Sequence, residues 1–181
     1  MKPVHALVPI LLAIGFVGCK LPSNRANAEP GDAGRIDSKA QDIADLRALE
    51  DRFTAAFRAK DVNAIMELCV PDDSLVVFDV HPPRQYDGAQ AYRKDWEDLF
   101  QRFDGPLEAD ISDMDVAAGT NVAYARYLHH VSGTVRGGKK RGFTVRVTDC
   151  FKKINGKWLI AHSHISVPVD MQTGKADIES D

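Results

Sequence analysis

Two histidines near the C-terminal end of the chain, His162 and His164, have residue types and a spacing suited to chemistry. They lie in the segment 158–168, whose β-branched and aromatic residues predict a strand. Side chains two residues apart in a strand point to the same face, about 7 Å from each other. Two neighbouring imidazoles could be ligands of a metal ion, an acid–base pair, or polar residues hydrogen-bonded within a half-buried sheet.

The histidine pair by itself is too small for a complete metal site. Zinc sites in proteins use three or four ligands, so His130 or Asp149 would have to complete one here. The sequence has no further His-rich spacing, and its 3 cysteines are too few for a four-cysteine site. We therefore expect no metal and no other cofactor.

The segments before the histidine strand predict three helices and then antiparallel strands. Apolar residues recur at helical spacing over residues 38–59, and two further helices are predicted after Asp61 and Asp87, which can cap them. The run "SLVVFDV" between these two helices is strongly β-prone. Over residues 107–168 four strands alternate with turn signals, and the Asn-Gly pair of the last turn is typical of a hairpin. Helices segregated to one face of an antiparallel sheet make an α+β domain.

The first residues have the layout of a secretory signal. The stretch "MKPVHALVPILLAIGFVGC" begins with a basic residue, continues with a short apolar run and ends with a small residue before Cys19. Its end resembles the lipobox of bacterial lipoproteins, in which the cysteine becomes the lipidated first residue of the mature chain. We predict a signal peptide over residues 1–18, a lipid anchor on Cys19, and a location on the periplasmic side of the bacterial cell envelope. An ordinary cleaved signal and secretion are the alternative.

The remaining residues divide into a flexible tether over 19–37, a folded domain over 38–168 and a polar tail over 169–181. The tether has few large apolar residues and cannot bury enough surface to become ordered. The formal net charge of −3 leaves no global basic field, so nucleic acid is not an expected partner. Cys69 and Cys150 lie in apolar stretches and are expected to be separate core thiols, with a disulfide between them as the alternative.

The order of elements, closed by "NGKWLIAHSHISVP", resembles the SnoaL-like branch of the ketosteroid isomerase and nuclear transport factor 2-like superfamily. It is also similar to the association domain of calcium/calmodulin-dependent kinases. The resemblance covers residues 38–168. It implies a cone, in which a strongly curved antiparallel sheet wraps around the helices and leaves an apolar pocket at the open end. It also implies a homodimer packed through the outer face of the sheet.

The resemblance further implies that Trp158 and Ile160 face the pocket. If the strand alternates regularly, His162 and His164 face the pocket as well. On the two preceding strands, either alternating set of side chains could point inward, because the register between the strands is not known from the sequence. This fold hosts isomerases, cyclases, dehydratases and pure binding modules, so the fold does not decide the function.

Three functions stay open at this point. The first is binding of a small organic ligand, acidic or aromatic, whose candidate contacts are Arg126, Arg146, Trp96, Trp158, Phe78, Tyr86 and His130. The second is proton-transfer chemistry of the ketosteroid isomerase or polyketide cyclase type, whose candidate residues are His162, His164, Asp149 and Tyr124. The third is a dimerisation or assembly module without a ligand, in which Arg126 and Asp149 form an ion pair and the histidines are simply hydrogen-bonded.

Overall fold

The computed structural model describes residues 30–178, with side chains from Asp37 onward. Within this part of the chain there are three helices and six strands. The helices are α1 (Pro30–Ala59), α2 (Val62–Met66) and α3 (Ala89–Phe100). The strands are β1 (Val76–Phe78), β2 (Tyr86–Asp87), β3 (Phe103–Ala118), β4 (Val122–Val135), β5 (Lys139–Ile154) and β6 (Lys157–Ser166). The predicted order is confirmed, and β2 adds a short edge strand that the sequence does not indicate.

The strands form one curved, open sheet in the order β2-β1-β6-β5-β4-β3. The four long strands pair antiparallel as a meander, whereas β1 runs parallel to β6 with Val76 opposite His162. The helices cover one face of the sheet, which we call the inner face, and the opposite side is the outer face. The predicted α+β class, with a curved sheet around N-terminal helices, is therefore confirmed.

The hydrophobic core lies between α1 and the inner face of the sheet. Buried residues recur every three or four positions along α1, at Leu46, Leu49, Phe53 and Phe57. They face the buried alternating sets of β4 and β5, which are Ala123, Ala125, Tyr127, Val145, Val147 and Phe151. Each fully buried large apolar side chain contributes about 1.5–3 kcal/mol relative to exposure. This packing holds the sheet around the helix.

Two predicted helix starts are corrected by the structure. Helix α1 begins at Pro30, so residues 30–37, predicted as part of the tether, are helical. Proline suits the first turn of a helix because the N–H that it lacks has no partner there. Helix α3 is capped by Gly88 and not by Asp87, whose carboxylate accepts a hydrogen bond from Gln85 instead. The Asp61 cap of α2 is confirmed, with Oδ1 accepting from the Ala64 N–H at 3.0 Å.

The two ends of the chain are described only in part. The predicted signal peptide and Cys19 lie outside the described residues. Residues 30–178 contain no helix that is both long and apolar enough to cross a bilayer. At the other end, a bridge between Val169 and Ala176 closes a turn in the predicted polar tail.

The two cysteines of the domain occupy different environments. Both are free thiols, so the predicted absence of a disulfide between them agrees with the structure. Cys69 is buried in the core as expected. Cys150 is half-buried on the outer face of β5, because its neighbours Asp149 and Phe151 belong to the inner set.

A β-bulge in β6 changes which residues face the helices. Cys150 pairs with His162 and Phe151 pairs with Ile160, so Ala161 is an extra residue in the ladder. An extra residue shifts the alternation of the strand by one position. Ile160 therefore faces inward before the bulge and Ser163 faces inward after it, each at most 5% exposed. The expectation that His162 and His164 face the pocket is wrong, because both lie on the outer face.

The indole of Trp158 connects β6 to α1 below the pocket. Its Nε1–H donates to Asp42 Oδ1 at 3.0 Å, and the same oxygen accepts from the Lys153 ammonium. The hydrogen bond from Lys153 is the largest cause of a lowered pKa for Asp42, ahead of the opposing effect of burial. The carboxylate therefore joins two strands to the first helix as an ion.

Replacing Asp42 by Ala is expected to lower the free energy of unfolding by about 1.5–3 kcal/mol at neutral pH, because charge-assisted hydrogen bonds are lost. A lowered pKa means that this stabilisation is present above the ordinary value of 3.8 and is lost as the pH falls further. Urea unfolding at several pH values measures the difference. Asp45→Ala, an exposed substitution on the same helix, is the control. Equal losses for the two variants would contradict the role of Asp42.

Candidate functional site

An apolar pocket of about 120 Å³ lies between α1, α3 and the inner face of β4 and β5. Trp96 is one of its walls, and the rings of Phe53 and Phe57 pack edge-on against the indole at 5.7 and 5.8 Å. A cavity of about 150 Å³ in another protein accepts benzene, so this somewhat smaller pocket suits at most one small ring or a molecule of similar bulk. The other apolar lining residues are Val80, Tyr92, Leu99, Phe103, Leu107, Tyr127, Val131, Phe143, Val145, Val147 and Ile165.

Two buried carboxyl groups share a tyrosine hydroxyl at the inner end of the pocket. Tyr127 Oη lies 2.7 Å from Asp149 Oδ2 and 3.0 Å from Glu50 Oε2. Glu50 and Asp149 are also hydrogen-bonded to each other, and such a bond between two carboxyl groups needs a proton on one of them. Asp149 lines the pocket and Glu50 lies behind it on α1. This end of the pocket therefore holds at least one neutral carboxylic acid.

The surroundings of the two acids favour their protonated forms. Burial raises the pKa of Asp149, and hydrogen bonds from Ser163 and Tyr127 counteract part of this effect. Burial also raises the pKa of Glu50 well above its ordinary value, and the charge of Asp149 raises it further. Two carboxylates that touch one hydroxyl in a dry environment cannot both ionise easily. The pair is therefore a source of a proton at pH values at which exposed acids are ionised.

His129 contributes the second titratable group of the pocket. Its ring is buried, and ring centroid distances to Phe57 and Tyr127 are 5.6 and 6.2 Å. Burial, and then the positive charge of Arg58, lower the pKa of His129 to about 4. The imidazole is consequently neutral at physiological pH, and a neutral imidazole has one nitrogen that can accept a proton.

Three polar atoms on pocket-lining residues have no hydrogen-bond partner within the described part of the chain. They are Trp96 Nε1, His129 Nε2 and Asp149 Oδ1, and all three are buried. Buried polar groups in folded proteins are almost always paired, so each exception calls for an explanation. The three residues line one cavity, so polar groups of a bound molecule would provide partners for these atoms.

Asp79 and His81, from the segment after β1, line the pocket at another place. His81 Nε2 lies 3.5 Å from Asp95 Oδ1 and 3.9 Å from Asp79 Oδ1. On the other side of the ring, Nδ1 is 3.0 Å from the hydroxyl of Tyr86. These residues form a second polar group on the pocket wall, separate from the acids at its inner end.

The structure brings few of the predicted site residues into the pocket. Trp96 and Asp149 line it. Tyr86 contacts His81 Nδ1 through its hydroxyl, and Trp158 is buried beneath the pocket, where its indole donates to Asp42. The other predicted residues lie on the outer face, and these are Phe78, Tyr124, Arg126, His130, Arg146, His162 and His164.

Strand alternation explains this outcome. The inner set of β4 includes Tyr127 and His129, which places Tyr124, Arg126 and His130 outside. The hypothetical ion pair between Arg126 and Asp149 does not form, because the two residues lie on opposite faces of the sheet. Arg126 instead pairs with Asp115 at 3.3 Å, and both side chains are exposed.

Sequence reasoning did not single out Glu50, Tyr127, His129, Ser163 or His81. For Glu50 the sequence did contain a signal, namely its position in the helix. It follows Leu46 by four residues and Leu49 by one, which places it on the apolar stripe of the first helix. An acid in such a stripe indicates a buried carboxyl with a partner. Tyr127 and His129 belong to one of the two alternating sets that were left open.

Comparison with known proteins agrees with this architecture. The sequence model of the SnoaL-like domain matches residues 46–170. None of the curated proteins matches the chain in sequence. Among solved structures, the chain is similar to a nuclear transport factor 2-like protein of unknown function from Pseudomonas putida KT2440. The identity is 25%, the TM-score is 0.69, and the match covers 81% of this chain and 97% of that chain.

Two further solved structures share the fold. One is a protein of Novosphingobium aromaticivorans DSM 12444 provisionally named a scytalone dehydratase, with 15% identity, a TM-score of 0.66 and coverage of 74% of this chain and 89% of that chain. The other is a ketosteroid isomerase-like protein of Erwinia carotovora atroseptica SCRI1043, with 18% identity, a TM-score of 0.59 and coverage of 68% and 93%. At these identities the likeness concerns the fold alone.

Proposed function

Because this chain belongs to the SnoaL-like domain family, we propose that its pocket binds a small, mainly apolar organic molecule, and that Asp149 and His129 transfer a proton to or from it. The size of the pocket favours a single ring or a molecule of similar bulk. The observation that carries the proposal is the set of unpaired atoms on Trp96, His129 and Asp149 in one apolar cavity.

The protonation states of the two groups suit them to opposite roles. The acid pair of Asp149 and Glu50, in which burial raises both pKa values, can donate a proton through Asp149 to a carbonyl oxygen of the ligand. His129, whose pKa is lowered to about 4, can accept a proton from the carbon next to that carbonyl. The product is an enol, and reversal of the two transfers regenerates the ketone. Such acid–base catalysis contributes about 10²–10⁴-fold to rates in enzymes.

Names of structural neighbours are consistent with chemistry of this class. One neighbour is provisionally named a scytalone dehydratase and another is named ketosteroid isomerase-like. Isomerisation and dehydration of cyclic ketones both involve removal of a proton beside a carbonyl group. Ligand binding without turnover, our first expectation from the sequence, uses the same pocket and is separated from catalysis by the experiment below.

Deuterium exchange tests the proposed chemistry directly. The protein is incubated with 2-cyclohexenone in deuterated water, and NMR follows deuterium incorporation at the carbon next to the carbonyl. We expect exchange above the buffer rate, and a loss of about 100-fold or more in both Asp149→Asn and His129→Gln. The rate should rise as the pH passes upward through about 4, where His129 becomes neutral. At higher pH it should fall as Asp149 loses its proton.

Matched controls lie on the outer face of the same sheet. His164→Gln changes an exposed outer-face histidine, and Asp115→Asn removes an exposed carboxylate, so neither should alter exchange. Native mass spectrometry of the gently purified protein shows in parallel whether a small molecule is retained. If the protein retains a small molecule or binds 2-cyclohexenone but shows no deuterium exchange, the proposal is reduced to ligand binding. The absence of both binding and exchange would contradict the proposal.

The cellular setting is proposed from the sequence. We propose that Cys19 anchors the domain to the bacterial cell envelope and that two copies associate through the outer face. Exposed apolar side chains on that face support the second point, because Phe78, Val122 and Tyr124 are 37%, 63% and 45% exposed. The ring of Phe78 contacts His162 and His164 at 4.9 and 5.7 Å, which gives these histidines a packing role there. Analytical ultracentrifugation of the purified protein measures the oligomeric state.

A further inference from the structure

Three side chains at the pocket wall converge on one point without hydrogen-bonding to one another. The ligand-type atoms of Asp79, His81 and Asp95 all lie within 4.8 Å of one another. His81 Nε2 is 3.5 Å from Asp95 Oδ1 and 3.9 Å from Asp79 Oδ1. A charge-assisted hydrogen bond would bring such atoms to about 2.7–2.9 Å. The observed separations are therefore too long for direct hydrogen bonds.

The same separations suit a shared metal ion. With zinc–ligand distances of about 2.0–2.2 Å, two ligands of a tetrahedral site lie about 3.3–3.6 Å apart. The His81–Asp95 distance falls in that interval, and the His81–Asp79 distance is a few tenths of an ångström longer. The two carboxylate oxygens lie within 4.8 Å of each other, so Asp79 would move slightly toward a bound ion. One imidazole and two carboxylates form a ligand set used by zinc and similar divalent ions.

The contacts behind His81 favour the tautomer that a metal requires. The Tyr86 hydroxyl donates to the Pro82 carbonyl at 3.2 Å and lies 3.0 Å from His81 Nδ1. Nδ1 also lies 3.3 Å from the Pro82 carbonyl, which can only accept, so a proton on Nδ1 has a partner on this side of the ring. The lone pair of Nε2 then points toward the carboxylates. Metal-binding histidines are held by such a hydrogen bond on the opposite nitrogen.

The burial of the two acids adds an independent reason for a cation. The side chain of Asp95 is 6% exposed and that of Asp79 is 13% exposed. Within residues 37–178, no lysine or arginine comes within ion-pair distance of either carboxylate. Even a protonated His81 could balance only one of the two carboxylates, and a buried charge without a partner is costly. A divalent ion would neutralise both.

We propose that Asp79, His81 and Asp95 bind one divalent transition-metal cation, Zn²⁺ in the first instance, on the wall of the apolar pocket. The proposal departs from the expectation that the chain holds no metal, which considered His162 and His164 instead. Asp79 and His81 both line the pocket, so a position left open on the ion would face a bound molecule. There the ion would hold and polarise an oxygen atom of that molecule. This site does not depend on the proton-transfer proposal.

Zinc titration of the full chain, after removal of metals with a chelator, tests the site. Isothermal titration calorimetry and native mass spectrometry should show one Zn²⁺ per chain and a rise in the melting temperature. Asp95→Asn and His81→Gln should each weaken Zn²⁺ binding by about 100-fold or more. Tyr86→Phe leaves the ligands in place but removes the support of His81, and we expect a loss of about 10–100-fold. Co²⁺ in place of zinc gives a visible absorption band that reports the ligand set.

Two controls separate this site from other ways of binding zinc. Asp98→Asn changes an exposed aspartate on the same helix, which pairs with Lys94, and should leave affinity unchanged. A double variant, His162→Ala with His164→Ala, removes the outer-face histidines and should also bind normally. Absence of stoichiometric binding would overturn the proposal. Unchanged Zn²⁺ affinity in Asp95→Asn, His81→Gln and Tyr86→Phe would also overturn it. Loss of Zn²⁺ binding in the double variant would overturn it as well. Deuterium exchange measured in chelator separately tests the proton-transfer proposal.

Discussion

Glu50→Gln is expected to remove a pH-dependent loss of stability that the unmodified protein shows on the alkaline side of pH 4.5. Glu50 is completely buried, and burial followed by the charge of Asp149 raises its pKa well above the ordinary value of 4.5. A raised pKa means that the folded state holds a proton that the unfolded state has released. The stability from this proton is complete below the ordinary pKa and is lost as the pH rises toward the folded pKa.

The size of this effect follows from proton linkage. One proton bound only in the folded state changes the free energy of unfolding by about 1.4 kcal/mol per pH unit. In the unmodified protein, stability should therefore fall across the window that begins near pH 4.5, whereas the glutamine variant should lack this slope. Gln keeps an oxygen that can accept from Tyr127, so at neutral pH the variant should be the more stable protein.

Urea unfolding at half-unit pH intervals from 4 to about 8 measures both slopes. Glu97→Gln, a substitution at an exposed glutamate of α3, is the control and should follow the unmodified protein. Parallel stability curves for all three proteins would show that Glu50 ionises normally in the folded state. The interpretation of the buried acid pair would then be wrong.

Tyr127→Phe should have the largest effect on stability of any single-atom deletion at the site. The hydroxyl contacts both buried carboxyl groups, at 2.7 and 3.0 Å. Removing it leaves Asp149 and Glu50 without that partner in a region that water does not reach. Each of the two buried groups left unpaired costs about 1–3 kcal/mol, so we expect a total loss of about 2–6 kcal/mol.

Thermal and urea unfolding of Tyr127→Phe measure this loss at neutral pH. Tyr124→Phe is the matched control, because it removes the same hydroxyl from the same strand at an exposed position on the outer face. Its stability should stay within about 0.5 kcal/mol of the unmodified protein. Similar losses in the two variants would mean that the shared hydroxyl does not hold the acid pair.

The helices and the strand order could be predicted because their signals are local. The spacing of Leu46, Leu49, Phe53 and Phe57 indicates a helix with one buried side, whichever sheet it packs against. The Asn155-Gly156 turn is equally local, since both residues adopt positive φ angles, 50° and 79°, that few other residues tolerate. The α+β class follows from these segments and their order.

Which side chains of each strand point toward the helices could not be predicted in the same way. Alternation from Trp158 puts His162 and His164 on the inner face only if the strand pairs without interruption. The extra residue at Ala161 exists only in the pairing of β6 with β5. A bulge depends on the twist and register of two strands together, and neither is contained in the sequence of one of them.

Residue patterns alone therefore establish the class of fold, the helical stripes, the hairpin and the absence of a dominant charge, because each depends on neighbours within a few positions. The tertiary structure decides which side chains meet. Glu50, Tyr127 and Asp149 are separated by 77 and 22 residues and come together through their hydrogen bonds. Asp79, His81 and Asp95 likewise converge from a loop and a helix. These groups form because the sheet curves around α1 and because one added residue shifts the alternation of β6.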